Sequence, residues 1–99
     1  MSLTIEHFTD CTIKDFYETM LYAATKMDEH LDFMLTNQDY TDGNKYADAV
    51  HLYNDWSDTY YAAHTALTNK FGKIMRRQIV KMIDSDLALA AQRRKLFAH

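Results

Sequence analysis

Between Asn44 and Ile83 the chain reads NKYADAVHLYNDWSDTYYAAHTALTNKFGKIMRRQIVKMI. Tyr46, Tyr53, Tyr60, Leu67 and Ile74 recur at heptad spacing, and Ala49, Trp56 and Ala63 each follow a tyrosine by one helical step on the same side. That pattern is the a/d seam of a helix packed lengthwise on another helix. It predicts one long helix over residues 44–83, capped by Thr41, Asp42 or Asn44. Gly72 is the weak point, because glycine inside a helix costs about 1 kcal/mol relative to alanine. The heptad nevertheless runs from Leu67 to Ile74 without a shift, so a helix that continues through Gly72, bent or frayed, is the expectation. A break at residues 69–72 is the alternative.

Upstream, Thr12 followed by Asp15 reads as an N-cap with an acid facing the positive end of the helix dipole. From there Ile13, Met20, Met27 and Met34 repeat at heptad spacing, with Tyr17, Ala24 and Leu31 beside them. This predicts a first helix over residues 12–36. The polar connector Asn37–Gly43 is short enough to fold the chain back antiparallel. Residues 1–11 form a strap whose Leu3, Ile5 and Phe8 lean on the helices. Ser85 is a possible cap for a last helix over residues 85–98. The expected whole is all-α: an antiparallel helical hairpin with a long second helix and a third C-terminal segment, one small bundle over residues 1–99.

Composition agrees. The 99 residues contain no proline and two glycines, Gly43 and Gly72, whereas sheet-rich folds recruit both residues for their many turns. A lone cysteine, Cys11, allows no intramolecular disulfide and suits a reducing compartment. Its acidic surroundings should raise its pKa and leave it a poor nucleophile. Neither a secretory signal nor a membrane-length apolar run is visible, so a cytoplasmic protein without a membrane partner is expected.

The net charge of −3 conceals a division. Residues 1–69 hold twelve acids against Lys14, Lys26 and Lys45, whereas residues 70–99 hold eight bases against Asp84 and Asp86. Such polarity bears on association. In the acidic half, Asp15, Glu18 and Glu29 face away from the methionine seam. Asp48, Asp55 and Asp58, with His51, lie opposite the tyrosine seam, and Asp39 and Asp42 sit in the connector. One reading is a solvated face. The sharper one is a surface that imitates the charge spacing of nucleic acid and occupies a basic groove on a partner, with fast, salt-sensitive binding.

The basic half offers the competing class. Lys70, Lys73, Arg77 and Lys81 fall in one stripe of a continuous helix, with Arg76, Arg93, Arg94 and Lys95 nearby, and a positive stripe is what phosphate contacts need. No recognition-helix signature, stacking platform or zinc-ligand spacing accompanies it. Glu29-His30 and Asp48/His51/Asp55 put carboxylate and imidazole at helical spacing, but the Glu-x-x-His pairs of a di-iron bundle are absent. No metal and no cofactor is expected. His64, at the edge of the seam, reads as a hydrogen-bonded boundary residue.

Arg93-Arg-Lys-Leu-Phe-Ala-His99 resembles the Arg…His catalytic pattern of HEPN-type ribonucleases, and Tyr60-Tyr-Ala-Ala-His64 resembles a helix of that family. The resemblance covers about a tenth of the chain. It implies a small all-α dimeric nuclease with His99 as general base, and ranks third. The first expectation is a non-enzymatic interaction protein without catalytic residues: a small inhibitor, of the kind a virus or mobile element encodes, bound to a nucleic-acid-handling complex through its acidic surface. Two helices alone cannot bury both seams, so a homo-oligomer, a dimer, is expected as well.

Overall fold

The computed structural model describes residues 8–36 and 43–97, without the side chains of residues 43, 44 and 94–97. Three helices account for nearly all of it: α1 (Ile13–Thr36), α2 (Gly43–Phe71) and α3 (Lys73–Phe97), with no strand among the described residues. The expected all-α hairpin with a third segment is the fold.

α1 starts where the sequence says it should. The Thr12 N–H donates to Asp15 Oδ2 at 2.9 Å, and the Asp15 N–H donates back to Thr12 Oγ1 at 3.2 Å. This reciprocal pair satisfies two of the amides that a helix start leaves without partners. The hydrogen bonds from Thr12, led by its backbone N–H, hold the Asp15 carboxyl below its ordinary value. Before the cap, Phe8 is buried in a tight turn and stacks on Phe16 at 5.8 Å. One cation from α2 fixes this segment: Lys70 Nζ donates to the carbonyls of Cys11 at 2.8 Å and Thr9 at 3.2 Å. The strap therefore leans on the bundle at Phe8, while Leu3 and Ile5 lie outside the described residues.

α2 runs antiparallel to α1. Phe16 meets Phe71 edge-on at 6.1 Å, and further along Tyr22 meets Trp56 edge-on at 5.2 Å. Thr59, a buried polar residue in this interface, donates its hydroxyl to the Asp55 carbonyl at 3.1 Å, so its burial leaves no orphan donor. α2 begins at Gly43, one residue before Asn44, which therefore does not cap it. Thr41 and Asp42 lie outside the described residues.

The continuous helix to residue 83 is not what forms. α2 ends at Phe71, and Gly72 takes a φ of +94°. Its N–H donates to the Thr68 carbonyl at 2.9 Å, the single bond of a left-handed helix C-cap. Its carbonyl accepts from the Arg76 N–H at 3.1 Å. One glycine thus closes α2 and opens α3, in a conformation that L-residues avoid. The turn redirects the chain, and the heptad across it is false: Ile74, the fifth seam residue, is 74% exposed. Nor does Ser85 cap a helix, since α3 passes through it uninterrupted.

The core gathers at one end. Phe16, Met20, Ala24, Ala63, Leu67, Ile79 and Ile83 enclose it, with Ile13, Leu21, Tyr60, Val80 and Leu87 packed around them. Fully burying side chains such as Phe16, Met20, Leu67 and Ile83 contributes about 1.5–3 kcal/mol each. Across the same end, Tyr17 donates its hydroxyl to Asp86 on α3. α3 covers the hairpin only there. Among the described residues the far half, from Met27 and Trp56 outward, is two helices thick, and the Cα envelope is a flat 45 × 31 × 16 Å.

Candidate functional site

Two of the acids, Glu29 and Asp48, line one open groove in the two-helix half of the hairpin, together with the ammonium-bearing Lys45. The groove, of about 390 Å³, is lined by Glu29, His30 and Phe33 of α1 and Lys45, Asp48, Ala49 and Leu52 of α2. The antiparallel pairing brings the end of α1 beside the start of α2. Glu29 and Asp48 thus approach from different helices over a floor supplied by Phe33, Ala49 and Leu52. Glu29 does not face away from the partner helix as its distance from the methionine seam implied. It flanks the helix–helix contact, one turn from Lys26 and two from Tyr22. Lys26 Nζ is 3.3 Å from Glu29 Oε2 and lies over the Tyr22 ring at 5.6 Å.

The other acids do not form one continuous surface. Asp15 serves the α1 cap at the opposite end of the molecule, some 14 residues from Glu29, which is about 20 Å along a helix. Glu18 pairs with Lys14 at 3.8 Å, with both side chains well exposed. Asp48 and Asp58 are exposed and make no ion pair among the described residues, whereas Asp55 is half-buried. Asp48 and Asp55 are a heptad apart and extend the groove's acidic lip along α2. Asp39 and Asp42 lie outside the described residues.

The basic stripe is reorganised more deeply. Lys70 belongs to α2 and spends its ammonium on the strap carbonyls, beside the Phe71 ring at 5.5 Å. Lys73, Arg77 and Lys81 are on α3, exposed, and stay one above another because they are spaced by four. Arg76 turns toward the bundle, half-buried, where its charge reaches His64. Burial, with help from that guanidinium, lowers the His64 pKa, and its ring packs against Tyr60 at 6.3 Å and Tyr61 at 6.2 Å. Tyr60, in turn, has its hydroxyl pKa raised by burial and then by Asp84.

Cys11 behaves as its neighbourhood predicts, with a pKa raised first by burial and then by Asp15. The sequence placed no base near it, but folding brings Lys70 close enough to oppose the shift. Among the described residues no group of three or more His, Cys, Asp and Glu side chains is arranged to hold a metal ion. Of the Arg…His pattern, Arg93 is exposed on α3 and His99 lies outside the described residues. No described helix is long and apolar enough to cross a membrane. No protein-family model, no curated protein and no solved structure matches this chain.

Proposed function

We propose that this protein is a non-enzymatic interaction protein that works through the acidic groove at the open end of the α1–α2 hairpin. The observation that carries this reading is the convergence of Glu29 and Asp48, from two helices, over the apolar floor of Phe33, Ala49 and Leu52. Carboxylates at the rim with hydrophobic contacts beneath suit a helical or extended protein segment bearing Lys or Arg beside Leu or Phe. A solvated acidic face would have no such floor. Basic segments of this kind belong to nucleic-acid-handling proteins, and occupying one would exclude the nucleic acid. The protein then acts as a small inhibitor that competes for a basic surface, with no catalytic step, metal or cofactor of its own. Steering by the acidic half makes association fast and salt-sensitive.

Direct nucleic-acid binding is the second reading, and Lys73, Arg77 and Lys81 support it as an exposed row of cations. It is the weaker one because Lys70 is engaged with the strap and Arg76 is turned inward. The test is a pair of titrations by fluorescence anisotropy, one with a labelled amphipathic Leu/Arg peptide and one with mixed short RNA and DNA. The groove reading expects the peptide to bind, with affinity at least tenfold weaker in the Glu29→Lys/Asp48→Lys variant, and the oligonucleotides to remain free. Oligonucleotide binding that disappears in Lys73→Glu/Arg77→Glu/Lys81→Glu would overturn it.

A further inference from the structure

The apolar seam continues past the point where α3 stops covering it. Leu35 lies eighteen residues, or about five turns, beyond Tyr17 and so falls on the same side of α1. At Tyr17 that side is closed by Asp86 of α3; at Leu35 it is 59% exposed, and Leu31 beside it is 40% exposed. Tyr46 stands in the same relation to His64 on α2 and is likewise exposed, with Met27, Met34 and Tyr53 only partly covered. The exposed carboxylates Asp28 and Asp32 border this seam on the α1 side.

α3 carries the complementary surface. Ile74 and Leu89 are 74% and 50% exposed on its outer side, beside the exposed cations Lys73, Arg77 and Lys81, whereas Met82, also 50% exposed, stands at the inner edge and lines a groove with Ile13 and Tyr17. Its outer face cannot reach the open seam of its own hairpin, because its inner face is held by Ile79, Ile83 and the Tyr17–Asp86 bond. We infer that the occupant of the open seam is α3 of a second copy, in a closed two-fold dimer. The outer face of each α3, with Ile74 and Leu89, lies on the partner's Leu31/Leu35/Tyr46 seam, with Lys73, Arg77 and Lys81 against Asp28 and Asp32. A dimer built on seam against seam would instead oppose those carboxylates to their own copies. The acidic groove adjoins this contact only through Asp28 and Asp32. Glu29 and Phe33 lie about half a turn of α1 away from Leu31 and Leu35, so each copy keeps its groove open on the far side.

A charge-swap experiment on the full chain reads the pairing directly. One variant carries Asp28→Lys/Asp32→Lys and the other Lys73→Glu/Arg77→Glu/Lys81→Glu; all five positions are exposed, and circular dichroism checks that helicity is kept. By sedimentation equilibrium the wild type should be a dimer that loosens with salt. Each variant alone should dimerise at least tenfold more weakly, since like charges then meet at both contacts. An equimolar mixture should recover a heterodimer, because each reversed surface finds its complement. Leu35→Asn should weaken the wild-type dimer by a similar factor without changing any charge. A monomeric wild type, variants that dimerise unchanged, or a mixture that stays monomeric would each overturn the inference.

Discussion

Replacing Gly72 by alanine separates a broken helix from a continuous one by the sign of the stability change. At φ +94° an added Cβ meets nothing within 4 Å, so the only penalty is the backbone's own. For an L-residue held in the left-handed region that is about 1–2 kcal/mol. Were residues 44–83 one helix, the same change would remove a mid-helix glycine and stabilise by about 1 kcal/mol. The two outcomes differ by about 2–3 kcal/mol. In a chain of this length each 1 kcal/mol moves Tm by about 4–8 °C. Thermal and urea denaturation followed by far-UV circular dichroism should therefore show Gly72→Ala melting several degrees below wild type. A synthetic chain with D-alanine at 72 retains the native φ and restricts the unfolded chain, so it should melt above wild type by about 0.4–1 kcal/mol. A rise in Tm for the L-alanine variant would refute the break and restore the single long helix.

Other perturbations read other parts of the structure. At concentrations too low for the chain to dimerise, Ile74→Lys should leave the urea midpoint within about 0.5 kcal/mol of wild type, as surface changes do, although the heptad assigns Ile74 to the core. Phe16→Ala should cost about 3–5 kcal/mol, since Phe16 is wholly buried between Phe8 and Phe71; against a usual total of about 5–15 kcal/mol, urea unfolding should shift far to the left. Lys70→Met should cost about 1 kcal/mol and speed amide exchange at Cys11, whose N–H bonds to the Phe8 carbonyl in the turn that Lys70 holds. His64 supplies a pH dependence. Its folded pKa is lowered, so between that value and the unfolded value near 6.5 the unfolded chain binds more protons. Stability is complete above pH about 6.5 and falls on acidification, and His64→Gln should flatten that part of the Tm–pH profile.

The fold was legible in the sequence wherever a local signal and a long-range one agreed. The Thr12–Asp15 cap, both seams near the core and the antiparallel return all follow from spacing and from the scarcity of glycine and proline. The Gly72 break was misread because a heptad records only sequence distance. Leu67 and Ile74 keep their spacing however the backbone turns between them, and one positive φ was enough to move Ile74 from seam to solvent. Phe16 escaped the methionine seam for a different reason. It sits three residues after Ile13, at the d position of that seam, whereas the heptad reading runs through Tyr17, Ala24 and Leu31, four residues on; both rows face the core because α2 and α3 contact α1 from two sides. At the candidate site, residue type was legible and partnership was not. Composition marked Lys70 as a cation for phosphate, but only the tertiary fold brings the Thr9 and Cys11 carbonyls to it. Glu29 and Asp48 are nineteen residues apart, and nothing in either helix alone reveals that they share a groove.

The groove itself is tested most directly by asking where a basic ligand lands. In an amide chemical-shift titration of the labelled full chain with the amphipathic Leu/Arg peptide, the largest changes should fall on Glu29, His30, Phe33, Asp48 and Leu52, and should fade as salt is raised. Changes confined to Lys73, Arg77 and Lys81 on adding oligonucleotide, with the groove amides unmoved by peptide, would contradict the proposal and return function to the basic face of α3.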